Sequence, residues 1–210
     1  KREFLLNANI IKSAPIQIGI TRPWRLTLSD GKLTHDAAFQ AVEEYQAARQ
    51  SAIGRIEKDF RDSFHFNIAA YEISRLLGLD YMTPVTVERK WNGKIGARAW
   101  WIPFKWHEFD RIKLKLQPPD PEAWNRQMFT ARVFGQLIAN MDPNLTNFVI
   151  TKDWQLWLID FTRAFRATKD LPNPKDLVQC DRKVLAKLRA LDRAALEEKL
   201  VKPKYVNKME

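Results

Sequence analysis

Ala139 to Phe165 reads ANMDPNLTNFVITKDWQLWLIDFTRAF, and the fold turns on how this stretch is interpreted. Phe148–Ile150 and Leu156–Ile159 are short runs of β-branched, aromatic and large apolar residues, the composition of strands. Thr151-Lys152-Asp153 between them supplies turn chemistry. A hairpin folded about that turn pairs positions whose numbers sum to a near-constant value, which sets Asn147 near Asp160. Asp142 precedes Asn147 in a loop that Pro143 and Asn144 keep from being helical. Two carboxylates and an amide oxygen therefore converge at the open end of one hairpin. Such hard oxygen ligands suit Mg²⁺, which keeps most of its waters and is usually completed by phosphates.

Asp and Asn before a strand are often only turn formers, so the competing motifs matter. An EF-hand calcium loop is excluded, because its Gly and Glu positions hold Asn147 and Asp153. Asn144-Leu145-Thr146 has the form of a glycosylation acceptor, a triplet common by chance.

Asp142-x-x-x-x-Asn147, a hairpin and then Asp160-Phe161 resembles the active centre of protein-kinase-fold enzymes. Leu156-Trp157-Leu158-Ile159 is similar to the strand that delivers their metal-binding Asp. Asn140-Met141 replaces the usual His-Arg, and Thr162 stands where a Gly would follow Asp-Phe. These departures resemble the atypical branches: phosphoinositide kinases, bacterial persistence-toxin kinases and secretory-pathway kinases. The chain is more similar still to uncharacterised bacterial kinase-like proteins with an N-x-D-x-N-x-x-N loop and an I-D-[FH]-x-R-A-F segment. The resemblance implies an α+β, two-lobed fold that uses ATP and Mg²⁺. Residues 1–103 would form a small β-rich lobe with one packing helix, and residues 104–210 a helical lobe carrying the catalytic loop and metal-binding hairpin. Asp142 would orient and deprotonate the acceptor, and Asn147 and Asp160 would hold the metal, with Asn144 as a supporting ligand.

Composition sets outer bounds. With 210 residues, 45% of them hydrophobic and 29% charged, the chain has the make-up of a water-soluble globular protein. No run approaches the ~20 apolar residues that span a bilayer, and Lys1–Leu6 is too short and charged for a secretory core. A trimmed upstream signal aside, the expectation is a cytoplasmic protein with no transmembrane segment. One cysteine, Cys180, rules out an internal disulfide framework or a cysteine zinc site. A net charge of +10 favours acidic partners: nucleotides, nucleic acid or anionic lipid.

The remaining segments are read against that centre. Residues 1–34 are expected to be β-structure, with Ile16–Thr21 and Trp24–Leu28 as strands before a Ser29-Asp30-Gly31 turn. In the resembled pattern the first hairpin covers the phosphates, with Gly19 and Thr21 as its nucleotide contacts. His35–Val42 is the next strand, or a helix by its composition, and places Gln40 where the family carries a phosphate-binding Lys. Glu43–Lys58 has helix-forming composition and reads as a solvated helix or connector. Asp62-Ser63 would cap a helix ending at Gly78, with Phe66, Ala69, Ala70, Ile73 and Leu77 as its buried stripe. Asn67 on this helix matches the Glu that pairs with the Lys in kinases. Pro84–Arg89 and Ile95–Ile102 read as strands about an Asn92-Gly93 turn. Trp100–Pro103, with Trp101 at the adenine, matches the hinge, though the aromatic pair also fits a core. Phe104–Pro121 reads as a basic, then Pro-rich surface excursion open to an acidic partner. Trp124–Ile138 is a helix leading into the catalytic loop, and Asp176–Leu200 reads as two amphipathic helices packing through Leu177, Val184, Leu185 and Leu188.

Three functions follow: an ATP- and Mg²⁺-dependent phosphotransferase with an acceptor that is a protein, lipid or small molecule; a pseudokinase serving as a nucleotide-binding or interaction module; or a basic nucleic-acid-binding domain. The last has no recognition helix or zinc finger behind it. Gln40 and Asn67 are neutral, so charge for the phosphates must come from Mg²⁺ and a nearby base such as Arg22, Arg25 or Arg163.

Overall fold

The computed structural model describes residues 1–17, 22–50, 54, 56–142, 144–168 and 170–207. In chain order the first half comprises α1 (Arg2–Asn7), β1 (Asn9–Pro15), β2 (Trp24–Ser29), β3 (Thr34–Gln40), β4 (Glu43–Gln50), β5 (Ile56–Ser63), α2 (His65–Leu77), β6 (Thr86–Trp91) and β7 (Lys94–Trp100). Five of these strands form an antiparallel sheet in the order β1-β2-β3-β7-β6. Alternation decides its faces: Leu26 and Leu28 of β2 and Ala37 and Phe39 of β3 point to one side and are buried. The chain before β1 is a helix, a correction to the all-β expectation for residues 1–34. Phe4 and Leu5 of α1 cover the apolar face of the sheet, which would otherwise be open. Arg98 of β7, buried, donates from Nη1 to the Leu5 carbonyl at 2.9 Å and fastens the helix there. Desolvation lowers the Arg98 pKa to about 10. The Ile16–Thr21 strand is displaced to Asn9–Pro15, and residues 18–21 lie outside the described set.

Glu43–Lys58 is also corrected. It belongs to a two-stranded ribbon in which β4 and β5 pair from Glu43↔Ser63 to Gln50↔Ile56. Helix-forming composition yields here to strand pairing and to Phe60, which is buried beneath the ribbon with the Arg49 guanidinium 4.1 Å from its ring. Asp62 and Ser63 end β5, and the N-cap position of α2 falls on Phe64, but Ser63 Oγ still accepts the His65 N–H, the first of the helix, at 3.3 Å. Ser63 Oγ also donates to Glu43, whereas the Asp62 side chain is committed to Arg163 and not to the helix. The rest of α2 follows its sequence: the expected stripe is buried, and Gly78 ends the helix at φ 70°.

The second half comprises β8 (Trp106–His107), α3 (Glu108–Lys113), α4 (Pro121–Leu137), β9 (Phe148–Ile150), β10 (Leu156–Leu158), α5 (Arg182–Arg189) and α6 (Arg193–Leu196), which runs into a π-type turn at Glu197–Val201. The Phe104–Pro121 excursion thus contains β8, which joins β9 and β10 in a three-stranded sheet, and α3. Asp120 caps α4 through the Ala123 N–H and Pro121 sits at its first position, which fixes where the helix begins. Trp124, Ala131 and Phe134 of α4 share one core with α2 and with Ile150, Leu156 and Leu158 of the hairpin. Near the C-terminus Val184 is buried and Leu188 packs partly, whereas Leu177 and Leu185 are exposed. No helix among the described residues is long and apolar enough to cross a membrane.

One close approach fixes the strand end that matters most. A Cβ on Gly96 of β7 would lie 2.3 Å from the Gln40 carbonyl oxygen and 2.7 Å from the Phe39 ring. Gly96→Ala is therefore expected to push β3 away from β7 and cost about 1–3 kcal/mol, the scale of overpacking. An unchanged urea midpoint would contradict this packing.

Candidate active site

The end of β3, the first turn of α2, the Asn140–Asn147 loop and the chain after β10 enclose a cleft of about 420 Å³. Gln40, Asn67, Asp142, Asn147 and Asp160 all line it, so the residues matched to nucleotide, acceptor and metal converge on one space. The hairpin register explains part of this. Leu158 pairs with Phe148, and the Ile159 N–H donates to the Asn147 carbonyl at 2.9 Å, so Asp160 leaves the ladder directly beside Asn147. Asp160 has φ 58°, a left-handed conformation that an Asp tolerates better than most residues.

Hydrogen bonds between neutral amides tie three elements together. Asn67 Nδ2 donates to Gln40 Oε1 at 2.8 Å, and Gln40 Nε2 donates to Asp160 Oδ1 at 3.2 Å. The Phe161 N–H donates to Asn67 Oδ1 at 2.7 Å, and Thr162 Oγ1 to Asp160 Oδ1 at 3.1 Å. These donors fix each amide's orientation. Burial, reinforced by the Asp62 and Asp142 carboxylates, raises the Asp160 pKa, against the opposing pull of the Gln40 and Thr162 bonds.

The stretch from Asn140 to Thr146 carries a run of side-chain-to-backbone turns. Asn140 Oδ1 accepts the Asp142 N–H at 3.1 Å, Asp142 Oδ1 the Asn144 N–H at 3.3 Å, and Asn144 Oδ1 the Thr146 N–H at 3.0 Å. The Asn144 oxygen, expected as a supporting metal ligand, is thus engaged within its own loop. Asn147 differs. Its side-chain amide makes no hydrogen bond to a described residue, and its Nδ2 is buried without a partner. Asp160 Oδ2 is likewise without a partner among the described residues.

A hard divalent ion would be held through the Asn147 side-chain oxygen and Asp160 Oδ2, since the orphaned Nδ2 is a donor and cannot ligate a cation. No group of three His, Cys, Asp or Glu able to hold a metal occurs among the described residues, so the protein would supply few ligands.

Trp101 lines the cleft, but its backbone is engaged: its N–H donates to the Asp36 carbonyl at 3.1 Å, and its own carbonyl lies 3.0 Å from His35 Nε2. Its indole lies beneath the Arg25 guanidinium at 4.5 Å, while Trp100 stacks on His35 and meets Phe4. Gly19 and Thr21, the expected phosphate-covering contacts, lie outside the described residues. One lining residue was not legible: Asp62, read as a helix cap, pairs with Arg163 at 3.2 Å across a separation of 101 residues. No local pattern signals such a pair.

No protein-family model matches the chain, and no curated protein is similar in sequence. Among solved structures the chain is similar to the crystal structure of a Helicobacter pylori proinflammatory kinase, CtkA. The TM-score is 0.63 at 10% sequence identity, over 97% of this chain and 87% of that one. The likeness is one of fold alone: the mixed α/β fold of this chain is similar to that of this kinase.

The buried carboxylate and its backbone conformation give a stability test. A raised folded-state pKa means that deprotonating Asp160 opposes folding at neutral pH, and that the opposition fades as pH falls and is gone only below 3.8, where the carboxyl is protonated in both states. Asn keeps the acceptor oxygen, removes the charge and suits φ 58°. Asp160→Asn is expected to raise the melting temperature at pH 7, with the gain shrinking toward pH 4. A lowered melting temperature at pH 7 would contradict this picture.

Proposed function

We propose that this chain is a phosphotransferase of the atypical kinase type, dependent on ATP and Mg²⁺. The observation that carries the reading is the pair of unengaged groups, the Asn147 amide and Asp160 Oδ2, in the same cleft as the Asp142 carboxylate. Asn147 and Asp160 would hold the ion, which neutralises phosphate charge when bound. Asp142, with Oδ1 engaged by its loop, would take the proton of the acceptor hydroxyl through Oδ2 as the terminal phosphoryl group moves to that oxygen and ADP leaves. The turns that hold Asp142 fix its carboxylate in place, and positioning supplies much of the catalysis in phosphoryl transfer.

A second reading, a nucleotide-binding pseudokinase, is favoured by Gln40 and Asn67. These amides bond each other where kinases place a Lys–Glu ion pair, and they bring no charge to the α- and β-phosphates. On either reading nucleotide binding depends on the divalent ion. The acceptor is a hydroxyl-bearing molecule whose class these residues leave open.

Isothermal titration separates the possibilities. ATP is expected to bind with Mg²⁺ and to lose nearly all affinity with EDTA or in Asp160→Asn. Asp142→Asn should leave affinity unchanged and slow turnover, with ATP hydrolysis as the surrogate reaction, by ~10²-fold or more, the scale of a general base. Tight ATP binding without a divalent ion would overturn the metal assignment, and an unaffected rate in Asp142→Asn would remove that residue from the chemistry.

A further inference from the structure

Resting on the nucleotide reading above, we propose that Arg163 is the phosphate-binding cation of the cleft, that it grips the terminal phosphate of the nucleotide, and that Asp62 positions it. Arg163 is the one Lys or Arg among the described residues that line the cleft, against the carboxylates of Asp62, Asp142 and Asp160. The other candidate bases are placed differently. Arg25 is paired with Asp36 through both Nε and Nη2 and lies over Trp101, and Arg22 is exposed and outside the lining.

The setting of Arg163 is built for a held guanidinium. Its Nε is spent on Asp62 Oδ2, whereas its Nη1 and Nη2 make no hydrogen bond among the described residues. Asp62 is only 3% exposed, and its other oxygen, Oδ1, is buried without a partner. The Ser63 N–H, next in the chain, donates to the Thr162 carbonyl at 2.8 Å, which locks the end of β5 to the segment that carries Arg163. Phe60 lies under the same guanidinium at 5.4 Å. The buried Asp62 carboxyl, bonded to Nε, holds the guanidinium in one orientation.

Position selects the phosphate. The Arg163 carbonyl accepts the Met141 N–H at 3.5 Å, which brings Arg163 beside Asp142, the acceptor side of the cleft. Gln40 donates to Asp160 and Asn67 accepts the Phe161 N–H, and neither brings charge to a phosphate. On this reading the guanidinium, held by Asp62 and with both Nη donors uncommitted among the described residues, makes a bidentate contact with the phosphate that is being transferred.

Comparison of Mg·ATP with Mg·ADP tests this. In the wild-type chain Mg·ATP should bind more tightly than Mg·ADP. Arg163→Gln should reduce that preference roughly tenfold or more, the scale of a lost charge-assisted contact, with Mg·ADP affinity within about twofold of wild type. Arg163→Lys should restore part of the preference, and Asp62→Asn should erode it in the same direction. Arg163→Lys also carries the test if the glutamine variant does not fold. Equal weakening of both nucleotides, or an unchanged preference, overturns the assignment while leaving the phosphotransferase reading intact. A wild-type chain that binds neither nucleotide overturns both.

Discussion

The geometry of the cleft depends on the bond between Gln40 and Asp160. Through it and the Asn67 amide, strand β3, helix α2 and the chain after β10 are held at one point by neutral donors and acceptors. Neutral amides fix the carboxyl group's position without supplying a counter-charge, and burial beside Asp62 and Asp142 disfavours its ionised form. Gly96 is part of the same constraint, since only a residue without a side chain lets β7 lie this close to the Gln40 carbonyl.

An anionic cleft of this kind attracts cations before it attracts phosphates. The unengaged Asn147 amide and Asp160 Oδ2 offer a place for one divalent ion, and Arg163, braced by Asp62, offers the fixed positive charge that Gln40 does not. The β4–β5 ribbon thereby has a role that its exposed strands conceal: its base delivers Asp62 to the cleft and joins the segment after Asp160. Stability and ligand binding pull against each other here, because the charge that burial disfavours is the one a metal requires.

The centre of the molecule was legible because its signals are local. Turn residues at Thr151–Asp153 and strands on either side specify the hairpin register, which sets Asn147 beside Asp160 with no tertiary information. The α2 stripe and Gly78 stop are local as well, whereas Gln40 and Asn67 were matched only through the family resemblance. What misled was propensity in segments whose fate is settled by distant contacts. Glu43–Lys58 favours a helix by composition, yet it forms a ribbon packed over Phe60, with Arg166 donating to the Lys58 carbonyl. α1 is helical because the sheet needs a cover, a demand invisible in six residues of sequence. Asp62 looked like a cap because its true partner lies 101 residues away.

The most direct measurement is the anomalous difference map of crystals grown with Mn²⁺ and a non-hydrolysable ATP analogue. A Mn²⁺ peak bound by the side-chain oxygens of Asn147 and Asp160, at ~2.2 Å and with phosphate oxygens completing its shell, is the expected result. A peak away from both side chains, or triphosphate held by a lysine with no metal between Asn147 and Asp160, would contradict it.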